Sequence, residues 1–412
     1  MTTNVFQTTQ YVLDEVFIRF VNYLNFAKVA NRNLEGDFKN LKYATGQTID
    51  YRLEERFLGG QGATAQSEGL VQVIRPLTIS QQFHSMVEFN GMELTFDRAR
   101  DQPYLDMMLN PRAKRLANLV EGFICNNFQT SVYNAVGTPG GGISFATITQ
   151  ADAYMTQLGI PEDGNRYFAT DPMTIASLAN TLSTIFNGTV NRGALMDGFV
   201  GHLSGFDFFK TNFTTYQTAG VGGSGGSPPT GFSNGGTVTN GPISGGNTIQ
   251  VSGVSTAAQV FNVGDIIEVA NSAGVFAVNP LNYNALSQRA QFVVTSNVIS
   301  SGGNATIPVS PTIITSGARQ NISAAIPNGA QIWLSNSFTR SLAFHNQAIV
   351  FAAPAIKELK GGVEAMTTYS ELYKMAMTYT LGADIRNYVQ LDRLDIICGE
   401  ANNPEFALVV RS

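Results

Sequence analysis

The sequence predicts an α+β chain in which a small antiparallel β-barrel interrupts one of the larger units. Three observations predict it. Residues 211–337 hold only four charged side chains, Asp265, Glu268, Arg289 and Arg319, and this stretch contains a glycine-rich run from Gly220 to Gly231. The flanks on both sides carry ordinary charge, with clear helical and strand periodicity. In the first flank an apolar stripe starting beyond Pro111 keeps helical phase through Val132, long enough to cross a whole domain.

Composition sets the outer limits. A chain of 412 residues with 43% hydrophobic side chains has enough apolar surface for two or three domains, each with its own core. Only 13% of residues are charged and the formal net charge is -5, so there is no basic footprint for tight nucleic-acid binding. Cys125 and Cys398 stand alone, without a CxxC or His-Cys grouping, and read as reduced packing residues. The first apolar stretch is broken by Asp14, Glu15, Arg19 and Lys28, unlike a signal peptide, and no run reaches the ~18 apolar residues of a membrane span.

Taken in order, residues 9–30 place Leu13, Val16, Phe17, Phe20, Leu24 and Ala27 on one helical face. Ile49, Tyr51 and Leu53 then alternate with Asp50, Arg52 and Glu54 as in a strand with one wet face. A small, flexible run over residues 59–69 joins it to a second strand, giving a hairpin arm over residues 47–79 that must lie on its own domain or on a neighbouring chain, because two strands alone are marginal in water. A strand over 78–90 follows. Asn110 and Pro111 look like a cap and first turn, with Ala113, Leu116, Ala117, Val120 and Ile124 as the buried stripe of the helix they begin.

Two shorter helices come next. Thr149 with Asp152 resembles a capping arrangement ahead of Tyr154 and Leu158, ended by Gly159. Asp171 and Pro172 start the second, which carries Ile175, Leu178, Leu182 and Ile185 and stops at Asn187 and Gly188. The intervening strand at 166–169 points to an α/β layer. Inside the low-charge segment, short β runs at 248–251, 265–269, 290–294 and 305–309 are spaced by Gly, Asn and Ser, which suits a small barrel. Strand texture returns over 338–353 and closes the chain at 388–397 and 406–410.

Catalytic patterns are poor, and no cofactor or metal is expected. His84, His202 and His345 lack HxxxH or HxH spacing, and the glycines of 220–226 are followed by no P-loop lysine and read as a connector. The Glu54, Glu55 pair and the Asp392, Asp395 pair read as solvated positions or salt-bridge partners. Arg112, Lys114 and Arg115 make one small basic cluster, a solvated or intersubunit face. At a helix start it would oppose the dipole, which implies acidic neighbours from elsewhere.

The stretch from Ile79 to Asp97, with its Glu93-Leu94-Thr95 step, followed by the helix containing Leu116-Ala117-Asn118, resembles the P22-like coat proteins, the major capsid proteins of tailed bacteriophages. Leu203 to Phe209 looks like the segment preceding that family's inserted domain. Val263 to Ile267 looks like a barrel strand entry, and Leu342 to Ile349 like the return to the interrupted domain. The resemblance implies an HK97-like capsid fold: N-terminal arm (1–46), extended loop (47–76), peripheral domain (77–160) with a spine helix (110–133), axial domain (161–218 and 338–412) and an inserted β-barrel (219–337). It implies a non-enzymatic subunit that joins hexamers and pentamers of an icosahedral head, assembled in the host cytoplasm with scaffolding protein and portal, and enclosing double-stranded DNA without a membrane. Arg52, Glu54, Glu55 and Arg56 of the loop and Arg112, Lys114 and Arg115 of the helix are the expected intersubunit residues.

Two departures from the family pattern stand out. Residues 211–259 hold no charge, so capsomer bridging by salt bridges from the inserted domain does not carry over, and residues 51–75 hold no lysine for a lysine-asparagine cross-link. The alternative from another class is a β-rich adhesive or glycan-binding surface protein with the barrel as its recognition module.

Overall fold

The strand Ile74–Asn90 is the longest in the computed structural model, which describes residues 9–32, 48–62, 67–69, 72–90, 102–185, 201–223, 226–256, 258–359 and 363–412. Apolar Phe83 and Val87 alternate along it with exposed His84, Met86 and Glu88, the period-two pattern of a sheet packed on one face. It pairs antiparallel with Val389–Asn402 over its whole C-terminal part, from Thr78 opposite Glu400 to Asn90 opposite Val389. The sheet order is Thr48–Arg52, Ile74–Asn90, Val389–Asn402, Met375–Asp384, Glu364–Ser370, with Ile349–Ala352 also on Val389–Asn402. Thr48–Arg52 pairs with Ile74–Thr78, so the base of the expected hairpin forms. The Glu93-Leu94-Thr95 step lies outside the described residues.

This sheet belongs to the first of two compact units, made of Met1–Leu53, Ile74–Cys125 and Ile349–Asn402. The second comprises Glu54–Val73, Asn126–Ala348 and Asn403–Ser412. The segments expected as one peripheral block (77–160) and one C-terminal axial block (338–412) are therefore each shared between units. The reason is pairing: Ile349–Ala352 and Val389–Asn402 bond each other in the first sheet, whereas Phe338–His345 and Ala407–Arg411 bond each other in the second.

The long helix runs Gln102–Ser131, eight residues earlier than its expected start, and Pro111 lies inside it. Proline's fixed φ is helical, and its missing N–H removes one i−4 bond without ending the helix. Asn110 does not cap; its Oδ1 accepts from Tyr23 OH at 3.2 Å. The predicted stripe is buried in full: Ala113, Leu116, Ala117, Val120 and Ile124 have no exposed surface. In the first unit Phe123 meets Phe83 edge-on, with ring centroids 6.1 Å apart.

The single N-terminal helix expected over 9–30 is two helices, Thr9–Asn22 and Phe26–Val29. A carboxylate causes the restart. Glu121, 1% exposed on the long helix, accepts from Phe26 N at 2.8 Å and Ala27 N at 3.0 Å, satisfying donors that a helix start leaves open. Burial pushes its pKa above the usual 4.5, while the backbone N–H groups of Ala27, Phe26 and Asn25 pull it back.

In the second unit the sheet order is Ala135–Val136, Ala407–Arg411, Phe338–His345, Arg166–Thr170, Phe206–Lys210, His202–Leu203. Helix Phe145–Gln157 buries Ile148, Ala151, Tyr154 and Met155 in the core formed with Phe168, Phe208, Leu408 and Val410. Its cap is Ser144, whose Oγ accepts from Thr147 N at 3.3 Å, in place of the expected Thr149. Asp152 is engaged elsewhere, 2.6 Å from the buried guanidinium of Arg166. Asp171 does cap helix Pro172–Ile185, accepting from Met173 N at 2.9 Å; the expected stop at Asn187 and Gly188 lies outside the described residues.

The barrel closes as six strands in the order Ile266–Val269, Gln291–Val294, Asn304–Ser310, Thr248–Ser252, Phe232–Asn240, Gln331–Ser335. Ile249, Val251, Ile267, Phe292, Val294, Ile307 and Leu334 fill it. Alternation along Thr248–Ser252 sends Ile249 and Val251 inward and Thr248 and Gln250 outward, so closure removes the free edges that such short strands would otherwise expose.

Removal of the Glu121 carboxylate tests the helix restart. Glu121→Ala leaves two buried N–H groups unpaired and should cost about 2–4 kcal/mol in urea unfolding, with earlier protease cutting near Asn25. The folded pKa lies above the unfolded one, so wild-type stability from this group falls as pH rises from 4.5 through the folded value. The stability gap between wild type and Glu121→Gln should therefore narrow over that window; a widening gap would contradict the raised pKa.

Candidate functional site

The loop residues expected to face other subunits begin on the strand Thr48–Arg52, where Arg52 is exposed. In the second unit Glu54 is exposed and its carbonyl accepts from Arg319 Nη2 at 2.8 Å. Glu55 is half-buried. Arg56 is committed within its own chain, 2.8 Å from Glu405. Tyr283 OH donates to the Phe57 carbonyl at 3.2 Å, and Glu68 accepts from Leu58 N at 2.8 Å. The side chains of Phe57 and Leu58 stay more than half exposed. Among the described residues the loop is thus bonded within its own chain at Arg56, Phe57 and Leu58.

The basic cluster on the long helix splits. Arg112 is 7% exposed and makes a two-pronged bond to Asp392, at 2.9 and 3.0 Å, with a further bond to the Ser85 carbonyl at 2.9 Å. It is an internal tie in the first unit and not the solvated residue expected. Its place in the helix explains this: one turn before the buried Leu116, it points toward the sheet as the apolar stripe does. The acidic neighbour inferred for the cluster is Asp392, and the dipole argument falls away because the helix begins at Gln102, well before the cluster. Lys114 and Arg115 are exposed, with Lys114 Nζ 5.8 Å from the Tyr23 ring centroid.

A denser constellation joins the barrel to the sheet of the second unit. Arg340, 1% exposed, donates to the Gln129 carbonyl at 2.8 Å, the Gly264 carbonyl at 2.7 Å and Gln217 Oε1 at 2.5 Å. Gln217 passes the contact on, its Nε2 donating to Asp265 Oδ1 at 2.6 Å. Asp265 Oδ2 accepts from Gly220 N at 2.9 Å and Asn262 N at 2.8 Å, fixing the glycine-rich entry of the barrel. Gly264 has φ +82, and a Cβ there would lie 2.5 Å from Arg340 Nη2, so a side chain would be strained in its backbone and would push the guanidinium from its present position.

The second node is Glu268, 3% exposed. It accepts from Arg411 Nη1 at 2.9 Å, Arg289 Nη1 at 2.8 Å and Gln291 Nε2 at 3.0 Å. Gln291 is also bonded both ways to the backbone of Ala135, at 2.8 Å each. Arg289 lies over the Trp333 ring at 4.4 Å, and Arg411 over Phe232 at 5.0 Å.

Electrostatics explain why these groups stay together. Burial raises the pKa of Asp265, opposed by the N–H groups of Asn262 and Gly220, the Gln217 amide and Arg340. Burial lowers that of Arg411, opposed by Glu268. Burial also raises the pKa of Tyr154, and Glu268 adds to the rise. Desolvation is offset by mutual pairing throughout this network. The arrangement fixes the orientation of one module on another. His345 and His202 each pair with one aspartate, Asp163 at 3.0 Å and Asp207 at 2.8 Å, and no group of three metal-type ligands occurs among the described residues.

Sequence reasoning passed over Arg340, Arg411 and Gln217. The signal was present: in a segment almost empty of charge, Asp265 and Glu268 sit three apart on an apolar run, where an unpaired carboxylate would be expensive. Glu268→Gln should lower stability by about 3–5 kcal/mol in denaturant unfolding, because it leaves two guanidinium groups without a carboxylate. Arg19→Gln, which breaks the part-exposed helical pair with Glu15 at 2.8 Å, should cost under about 1 kcal/mol. Equal losses would mean that the junction network contributes no more than a surface pair.

The model of the family described as "P22 coat protein - gene protein 5" matches residues 1–409. No match was found among curated proteins. Among solved structures, one from Mycobacterium phage Che8 aligns at 11% identity and a TM-score of 0.48, covering 94% of this chain and 90% of that one. The capsid of Ralstonia phage GP4 aligns at 10% identity and 0.43, covering 94% and 88%. The capsid of Cyanophage P-SCSP1u aligns at 10% identity and 0.42, also covering 94% and 88%. The match along nearly the whole length decides the family: the chain belongs to the P22 coat protein family.

Proposed function

We propose that many copies of this chain assemble into the icosahedral head shell of a tailed bacteriophage and enclose its packaged double-stranded DNA. The observation that carries the reading is the family match over residues 1–409. The mechanism is geometric. Each subunit makes several contacts of micromolar to millimolar strength, about 4–8 kcal/mol each, weak enough for errors to dissociate and strong enough in sum to hold a shell. Hexamers and pentamers would form with help from a scaffolding protein and a portal. Low charge suits the wall: with a net of -5 it contains the DNA polyanion without gripping it.

Within such a subunit, a barrel anchored through Arg340 and Arg411 carries force. A load applied to the barrel reaches the sheet through buried guanidinium groups and not only through the peptide links. The test is particle size: the full chain, expressed with its scaffolding partner, should give shells, capsomers or polyheads by sedimentation and negative-stain microscopy. A strictly monomeric protein under those conditions would overturn the proposal.

A further inference from the structure

The segment that follows the base of the first hairpin has no regular structure of its own. Residues 54–61 form neither helix nor strand, so no ladder takes up their carbonyl groups. Side chains of the inserted barrel do so instead, at two points three residues apart. Arg319 Nη2 donates to the Glu54 carbonyl at 2.8 Å, and Tyr283 OH lies 3.2 Å from the Phe57 carbonyl. All of these residues belong to the second unit. Arg319 is also one of only four charges in residues 211–337, and it is directed at this main-chain oxygen.

The two gripping side chains stand on different barrel loops, and those loops are locked to each other. Tyr283 OH is also 3.2 Å from the Ala318 carbonyl, so its single proton is shared between the second loop and the extended segment. Val278 N donates to the Asn321 carbonyl at 3.2 Å, and Ser323 N to that of Phe276 at 2.9 Å. Asn321 braces the second loop from within, its side chain accepting from Ile314 N at 2.9 Å and donating to the Thr312 carbonyl at 2.7 Å. Tyr283 itself has φ +58, in the left-handed region that a bulky residue enters only with strain. Bonds from Tyr283 N to the Asn279 carbonyl at 2.8 Å and from Asn284 N to Asn282 Oδ1 at 3.0 Å hold it there. Such strain persists where the side chain it places has a role, and the group placed here is the hydroxyl on the extended segment.

We infer that the inserted barrel acts as a clasp for the extended loop, with Tyr283 and Arg319 as positioning residues that hold the main chain of residues 54–57 in one path. Both grip carbonyl oxygens, so the clasp sets the course of the chain and does not read its side chains. Arg56, 2.8 Å from Glu405, adds a third hold from outside the barrel. Phe57 and Leu58 stay more than half exposed on a backbone that is fixed from behind. A loop already set in its path loses less conformational freedom when it meets a neighbouring subunit, which lowers the ordering cost of assembly. That last step rests on the shell reading, whereas the clasp itself is a property of the single chain.

Tyr283→Phe and Arg319→Gln, singly and together in the full chain, test this. Chymotrypsin cleavage after Phe57 and amide hydrogen exchange over residues 54–58, measured on the unassembled chain, report how often the segment opens. The double variant should raise both rates at least about tenfold, and each single variant by less. Exchange in the barrel strands and the fluorescence of Trp333 should stay as in the wild type. A merely structural role for the two residues would move the barrel readouts together with those of the loop. Should the double variant fold poorly, Tyr283→Phe alone decides, because it removes one hydroxyl and keeps the ring. Loop rates equal to wild type in the folded variants would overturn the inference. The critical concentration for assembly should rise a few-fold in the double variant, and an unchanged value would overturn the assembly step. A wild-type chain with a protected loop that never forms shells is instead the failure of the shell reading, and it leaves the clasp standing.

Discussion

Two arginines stand opposite each other on neighbouring strands, Arg340 on Phe338–His345 and Arg411 on Ala407–Arg411. Directly paired like charges repel, and both side chains are almost fully buried, so the sheet carries this pair only because something neutralises each one. The barrel supplies the neutralisation. Glu268 takes Arg411 directly, and Asp265 reaches Arg340 through the amide of Gln217. Each half completes the other: the barrel supplies the carboxylates that face the two guanidinium groups, while Glu268 also keeps Arg289 and Asp265 the N–H groups of Gly220 and Asn262 within the barrel. The inserted module is thus tied to the sheet of the second unit by buried polar pairs, despite having its own closed core.

The low charge of residues 211–337 follows from the same arrangement. A barrel closed by six short strands is filled by side chains such as Ile249, Phe292 and Leu334 and needs no charge for its own stability. All four of its charges are spent on contacts away from that core: Asp265 and Glu268 at the sheet, Arg289 on Glu268 and Trp333, and Arg319 on the carbonyl of Glu54. The outward surface is left with uncharged side chains, hydrogen-bonding Asn, Thr and Ser together with exposed apolar residues such as Ile243, Leu281 and Ile299. Any contact it makes with another subunit works through hydrogen bonds and apolar area, and responds little to salt.

What was legible in the sequence was whatever local periodicity or composition expresses. The buried stripe from Ala113 to Ile124, the alternation along Ile74–Asn90 and the barrel strands all follow from patterns within a short window. What was not legible depends on residues far apart in the chain. Glu121 breaks the N-terminal helix from a distance of 95 residues, Asp392 takes Arg112 out of the basic cluster from 280 away, and Gln217 meets Arg340 across 123. Each is a polar side chain whose local pattern fits a solvated face equally well, and only the fold decides which is buried. Asn110 and Pro111 misled for another reason: the pair is a good helix start locally, but the helix also tolerates it inside.

The way the barrel is inserted makes this dependence on distant pairing tolerable. The chain leaves the sheet at Tyr216–Gln217 and returns at Phe338, and these residues pair antiparallel, with Gln217 opposite Phe338 and Tyr216 opposite Thr339. Just beyond them Ala219 N donates to Ser337 Oγ at 2.9 Å. The whole module is therefore the loop of a hairpin whose neck is already closed by the sheet, so inserting it imposes little extra loop-closure entropy on the strands around it. A narrow neck alone would leave the barrel free to swing. Gln217 sits in that neck and is also the amide that links Arg340 to Asp265, so the residue that starts the insertion also restrains it. Entry, exit and charge neutralisation coincide at one place, which is how a module with its own core is held in a single orientation on the sheet it interrupts.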